Sequence, residues 1–90
     1  MKGMPVVYIP TLMRDLTGGA EKVTAEGATL WQVVNSLEAR YPGARARLCA
    51  EDRIRPDIAV AADGEITRQG MLQAVKPDSE VHFVPAVSGG

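Results

Sequence analysis

Apolar positions alternate with period two near the start of the chain and recur with helical spacing once near its middle. Val6-Val7-Tyr8-Ile9 is rich in β-formers and bounded by Pro5 and Pro10, which predicts a first strand. Its side chains divide by face, Val7 and Ile9 on one side, Val6 and Tyr8 on the other. Thr17-Gly18-Gly19-Ala20 marks a turn, since glycine takes positive φ without steric penalty. Glu21 to Glu26 follows as a short polar strand with Val23 inward, which completes an antiparallel hairpin.

The clearest helix runs from about Thr29 to Tyr41. Leu30, Val33, Val34 and Leu37 fall at i, i+3, i+4 and i+7 and make one apolar stripe. Thr29 can cap it, its hydroxyl accepting from a free N–H of the first turn, and Pro42-Gly43 ends it. Ala44 to Ala50 predicts a short second helical turn with Leu48 inward, and Glu51 to Pro56 a charged loop. Asp57 to Ala62 reads as a strand that is apolar on both faces. Whether Ile58 and Val60 or Ala59 and Ala61 are buried stays open. Asp63-Gly64 is a hairpin turn signal leading to Glu65-Ile66-Thr67. After a turn at Pro77-Asp78-Ser79, Glu80 to Val84 is the last strand, with Val81 and Phe83 on one face, His82 and Val84 on the other, and Pro85 at its end.

A single long helix with one apolar face needs a sheet to cover it. The order strand, strand, helix, strands therefore predicts an α+β fold of the β-grasp type seen in ubiquitin, with a mixed four- to five-stranded sheet and one main helix packed across it. That domain spans 1–85, and 86–90 is expected to be a flexible tail.

Ninety residues suit one domain. Ten basic against eleven acidic residues leave a formal charge of −1, which argues against general attraction to nucleic acid or an anionic membrane. The apolar run from Met4 to Met13 holds two prolines and falls short of the ~20 residues a span needs. Cys49 is the sole cysteine, so no intramolecular disulfide can form and a reducing cytoplasm is the expected setting. Arg45 and Arg47 could lower its pKa, although an inert packed thiol is the commoner outcome. His82, the sole histidine, has no recognisable nucleophile and positioned acid beside it and reads as an ordinary strand residue. One Cys and one His cannot build a zinc site. Arg40, Arg45, Arg47, Arg53 and Arg55 gather in one region, interrupted by Glu51 and Asp52 and lacking an aromatic platform, which describes a solvated face better than an RNA site.

Candidate chemistry concentrates after Pro85, where the sequence reads Ala86-Val87-Ser88-Gly89-Gly90. Two specified glycines occur there by chance roughly 0.5% of the time, and a frayed tail is the ordinary alternative. A carboxylate is a poor electrophile, but joined to AMP it becomes a reactive acyl-adenylate. To be adenylated it must reach into an ATP site through a narrow channel, and glycine lets backbone pass close to other groups.

Val84-Pro85-Ala86-Val87-Ser88-Gly89-Gly90 resembles the closing pattern of the ubiquitin-like sulfur carriers, a family that includes the thiamin sulfur carrier, the small subunit of molybdopterin synthase and the cysteine-biosynthesis carrier. Ile9-Pro10-Thr11, Arg14 and Thr17-Gly18-Gly19 are similar to the opening of the cysteine branch, while Gly27, Thr29 and Leu30 match the family's helix start. Pro77-Asp78-Ser79-Glu80-Val81 resembles its Gly-Asp-x-Val turn, with Pro77 where the family usually has glycine. Ala62-Asp63-Gly64 likewise departs from a turn that often holds Asn and an acidic residue.

The resemblance implies a carrier rather than an enzyme. A ubiquitin-activating-like enzyme would adenylate Gly90 with ATP, Gly89 would help thread the tail, and the thiocarboxylate formed would donate sulfur, with cysteine biosynthesis favoured over molybdopterin or thiamin synthesis. The acceptor would be a cysteine synthase-like enzyme or the large subunit of molybdopterin synthase. A covalent protein modifier, with Gly90 in isopeptide bonds, is the alternative from a different class, and a non-covalent adaptor a third. No permanently bound cofactor is expected, nor a metal. Tyr8, Val60, Val84, Pro85 and Val87 are the candidate partner-binding residues, on the reasoning that apolar side chains on the open sheet face beside the tail suit docking.

Overall fold

In the computed structural model, which describes residues 4–85, strand β1 (Val6–Tyr8) leads through a 3-10 turn at Thr11–Met13 into β2 (Lys22–Thr24). Val7 and Ile9 are buried and Val6 and Tyr8 half-exposed, the division that strand alternation requires. The apolar stripe becomes helix α1 (Leu30–Arg40), and Leu30, Val33, Val34 and Leu37 are its buried residues. Thr29 caps it as expected, its side chain accepting from Gln32 N at 3.3 Å, while Gln32 Oε1 accepts in return from Ala28 N at 2.7 Å.

Tyr41 closes α1, and α2 (Ala44–Leu48) begins after Gly43. The Glu38 carboxylate holds this corner by accepting from Arg45 N at 2.9 Å and from Gly43 N. Those backbone donors, Arg45 first, keep the Glu38 carboxyl below its ordinary pKa. Where a charged loop was expected, the chain makes a hairpin of β3 (Cys49–Ala50) and β4 (Arg53–Ile54). Its two turn residues, Glu51 (φ 51°) and Asp52 (φ 64°), both sit at positive φ, as tight hairpin connections demand.

The hairpin stands apart from the main sheet, whose strand order is β2-β1-β7-β5-β6. β5 (Ile58–Ala62) turns at Asp63-Gly64 into β6 (Glu65–Ile66), as the turn residues predict. β7 (Glu80–Pro85) inserts in the middle, parallel to β1 and antiparallel to β5. The sheet is therefore mixed and five-stranded, and the helices cover one of its faces. Val7, Val81, Phe83, Ile58 and Val60 share one core cluster with the α1 stripe, Leu48 of α2, and Met13, Met71 and Val75 from the connecting segments. Burying each such large side chain contributes about 1.5–3 kcal/mol. The last three lie in stretches without strand or helix periodicity.

A polar clasp fixes the start of β7. Asp63 Oδ1 accepts from Glu80 N at 2.9 Å, and Oδ2 accepts from Ser79 Oγ at 2.7 Å. Ser79, only 1% exposed, also accepts from Lys76 N at 2.9 Å. Every polar atom of that buried hydroxyl is thus used, as burial requires. The Glu80 amide first, and then the Ser79 hydroxyl, hold the Asp63 carboxyl below the ordinary aspartate pKa.

Candidate functional site

β7 delivers the chain to Pro85 between two hydrogen-bonded neighbours, β1 and β5. Beyond it, Val87, Gly89 and Gly90 lie outside the described residues. The surroundings of their exit follow from strand register. Tyr8 is opposite both Lys22 and His82, His82 is opposite Ala61, and Ala61 is opposite Ile66. Cross-strand partners point to the same face, so Lys22, Tyr8, His82, Ala61 and Ile66 form one row across all five strands. Nearer the tail, Val84 pairs with Ala59. This is the face left uncovered by the helices.

Val84 (37% exposed) and Ile66 (59%) give it its apolar character. At its centre the Tyr8 and His82 rings stack with centroids 4.0 Å apart and planes 8° from parallel. His82 Nε2 is 3.9 Å from a Glu80 carboxylate oxygen. Tyr8 and Val84 thus lie on one open face beside the exit of the chain, where alternation places them.

Val60 does not join them. It is opposite Phe83, and at 3% exposure it belongs to the core under α1, which removes it from the candidate partner-binding residues. The choice left open between the two pairs in this strand resolves with Ile58 and Val60 inward and Ala59 and Ala61 outward. Phe83 needs a bulky core neighbour, and alanine would leave a void. Ile66 escaped the sequence reading, although counting across the two-residue Asp63-Gly64 turn places it level with Ala61.

The other chemically suggestive residues have structural roles. Cys49 is buried with its sulfur 4.0 Å from that of Met71, and burial pushes its thiol pKa up, away from the reactive thiolate. Arg47 forks onto Asp15 at 2.9 and 3.0 Å and donates to Leu12 O, and the Arg47 hydrogen bond lowers the Asp15 pKa. Arg45 pairs with Asp52 and lies over the Trp31 ring at 4.8 Å. Arg55 pairs with Asp57, and Arg40 donates to Thr24 O. The arginine-rich side is therefore largely self-paired and offers no basic stripe. Among the described residues no three His, Cys, Asp or Glu side chains converge as a metal site. No helix among them is long and apolar enough to cross a membrane.

A central strand aimed at a Gly-Gly end, beside an open apolar sheet face, is the arrangement the resemblance calls for, and the ThiS family profile matches residues 7–90. The chain belongs to the ThiS family. Sulfur carrier protein CysO of Mycobacterium tuberculosis is 35% identical over 89 residues, which cover 93% of this chain and 96% of that protein. Small archaeal modifier protein 3 of Haloferax volcanii is 33% identical over 67 residues, covering 72% and 73%. Among solved structures, the Amycolatopsis orientalis BexX/CysO complex contains a chain that superimposes with a TM-score of 0.87 at 36% identity, covering 96% of this chain and 99% of that one. The fold is thus the β-grasp, and membership in the ubiquitin-like sulfur carriers, on the cysteine-type branch with CysO, is borne out.

Proposed function

We propose that this ThiS-family chain carries sulfur on its C-terminal Gly90. A ubiquitin-activating-like partner joins the Gly90 carboxylate to AMP from ATP, with pyrophosphate leaving. Sulfide, or its equivalent from a sulfur donor, then attacks the acyl carbon and AMP departs, which leaves a thiocarboxylate. If the donor is a persulfide, the acyl disulfide first formed is cleaved by a second thiol, which leaves as a disulfide with the donor's sulfur. An acceptor enzyme takes that sulfur, with cysteine biosynthesis as the favoured pathway. The chain supplies no base or nucleophile of its own and acts as a cosubstrate. ATP is consumed by the partner, and no cofactor stays bound.

The observation that carries this reading is the family match running through the terminal Gly-Gly, on a chain whose last strand is central in the sheet. The open face of Tyr8, Val84 and Ile66 supports docking to these partners, because such a patch serves recognition better than solubility. Similarity to an archaeal modifier protein favours one second reading, covalent attachment of Gly90 to lysines of target proteins.

Intact mass separates the readings. The chain is incubated with ATP, sulfide and host extract, beside a variant lacking Gly90. A gain equal to sulfur replacing oxygen, in the full chain alone, is the expected result. No gain, in an extract that converts another carrier, refutes sulfur transfer. Host peptides carrying on a lysine the C-terminal segment that begins after Arg68, the last tryptic site because Lys76 precedes Pro77, would then establish the modifier reading.

A further inference from the structure

The open face is electrically lopsided. Its β5–β6 side carries Ala59, Ala61 and Ile66, whereas its β1–β2 side ends in a groove lined by Tyr8, His82, Leu12, Arg14, Lys22 and Glu21, among others. Because β1 and β7 run parallel, this groove lies at the end of the sheet from which the chain leaves β7. Resting on the sulfur-carrier reading, we propose that the groove receives a carboxylate-bearing apolar segment of the partner enzyme, and that Arg14 and Lys22 thereby fix the angle at which the partner meets the tail.

Arg14 is prepared for this role. Its Nε donates to Ile9 O at 3.2 Å, which orients the guanidinium and uses the one donor outside the terminal fork. Neither Arg14 nor Lys22 makes an ion pair among the described residues, in contrast to Arg45, Arg47 and Arg55. Glu21 is the single carboxylate among the lining residues, so Arg14 and Lys22 outnumber it by one charge there; the Glu80 carboxylate stands outside the lining, 3.9 Å from His82 Nε2. A carboxylate matches the two free amino groups of Arg14 bidentately, and Lys22 adds a point charge across the groove.

The walls decide what accompanies that carboxylate. Leu12 is 43% exposed, and the Tyr8–His82 stack offers a flat ring surface in the same groove. An aspartate or glutamate flanked by leucine or phenylalanine fills both parts. A phosphate would use Arg14 but leave the apolar wall wet, and Glu21 would repel its second charge. Lys22, Tyr8 and His82 are also one cross-strand row, so a segment seated here is continuous with contacts over Ala61 and Ile66. An acidic group on one side and an aliphatic one on the other permit a single docking orientation, the kind of selectivity that charge complementarity supplies.

The probe is a hexapeptide amide that alternates aspartate with leucine and phenylalanine, and its control has asparagine for aspartate. Each is titrated into the isotope-labelled full chain and followed by NMR. The acidic peptide is expected to move the Tyr8, Arg14 Nε–H and Lys22 signals, with affinity falling as salt rises. Arg14→Gln or, at an exposed site, Lys22→Glu should weaken it about tenfold, the order expected for a lost charge-assisted contact, while Arg14→Lys restores part. Leu72→Ser, at an exposed position outside the groove, should bind as wild type. Equal shifts from both peptides, shifts mapping elsewhere, or none at millimolar peptide would overturn the proposal. Thiocarboxylate loading tells the two readings apart. Failure to load with the peptide result intact removes the sulfur reading and leaves the groove, whereas normal loading by Arg14→Gln/Lys22→Gln at limiting partner and low salt removes the groove alone.

Discussion

Replacing Gly27 by alanine tests why glycine stands before the helix. A Cβ at this position would lie 2.7 Å from Val33 N, 2.9 Å from Val33 Cγ2 and 3.0 Å from Gln32 C. None of these can yield cheaply. Val33 N donates to Thr29 O at 3.0 Å in the first turn of α1, and the Val33 side chain is fully buried. Overpacking of this kind costs about 1–3 kcal/mol, and the Gly27 φ of +156° falls in a region nearly reserved for glycine, adding on the order of 1 kcal/mol. Gly64→Ala supplies the control, because its φ is +85° but nothing lies within 4 Å of the added carbon, so only backbone strain of about 1–2 kcal/mol applies. Each kcal/mol shifts Tm by roughly 4–8 °C in a domain of this size. Gly27→Ala, at about 2–4 kcal/mol, should therefore lower Tm by roughly 8–32 °C, about twice the roughly 4–16 °C of Gly64→Ala, in thermal melts followed by circular dichroism. Urea melts with unchanged slopes would show that the native state, not the unfolded one, is affected. Equal losses in the two variants would refute the steric argument.

Three further outcomes are expected. Val84→Asp, on the exposed open face, should leave the melting curve near wild type and, under the proposed sulfur-carrier function, weaken binding to the activating enzyme at least about tenfold, as a charge placed in an apolar contact does; unchanged affinity in a titration would remove the docking face. Asp63→Asn should cost about 1 kcal/mol at neutral pH, a modest figure because the site is open to solvent. Since the Asp63 pKa is lowered on folding, its contribution is complete above the unfolded aspartate pKa and is lost as pH falls through the folded one; urea midpoints of the variant should thus fall less steeply with acidity than those of wild type. Cys49 should resist a thiol reagent in the native protein and react at the rate of global unfolding, because burial both shields the sulfur and raises its pKa; rapid native labelling would contradict its placement in the core.

The fold was legible wherever side chains differ strongly in polarity along a regular period. α1 stands out because its four buried residues interrupt polar ones, and β1 and β7 because alternation divides each strand cleanly. β5 was ambiguous, since Ile-Ala-Val-Ala-Ala is apolar on both faces, and only pairing with Phe83 decides its orientation. The β3–β4 hairpin was hidden because Glu51-Asp52 occupies a turn that usually announces itself through Asn-Gly or Asp-Gly. Met13, Met71 and Val75 reach the core from irregular segments that no periodicity marks. At the candidate site, Tyr8 and Val84 were readable from alternation. Arg14 was not, because its position depends on the path of an irregular connection closed locally by the Arg14 Nε–Ile9 O bond, which no strand or helix period marks.

The mixed sheet also explains why a carrier would place its reactive end after β7 and not after an edge strand. An edge strand is held by one ladder, and its end can peel away with the tail. β7 is bonded on both sides, to β1 and to β5, and its start is clasped by Asp63. Under the sulfur-carrier reading, a partner that draws Gly90 into a narrow channel pulls against both ladders at once. The body then keeps its open face in register while the tail changes chemical state from carboxylate to adenylate to thiocarboxylate. Recognition by successive enzymes can reuse one surface, with discrimination left to the few atoms at the end of the chain. A Cys49 thiol sealed in the core is consistent with that division, because no reactive sulfur of the body competes with the one that is carried.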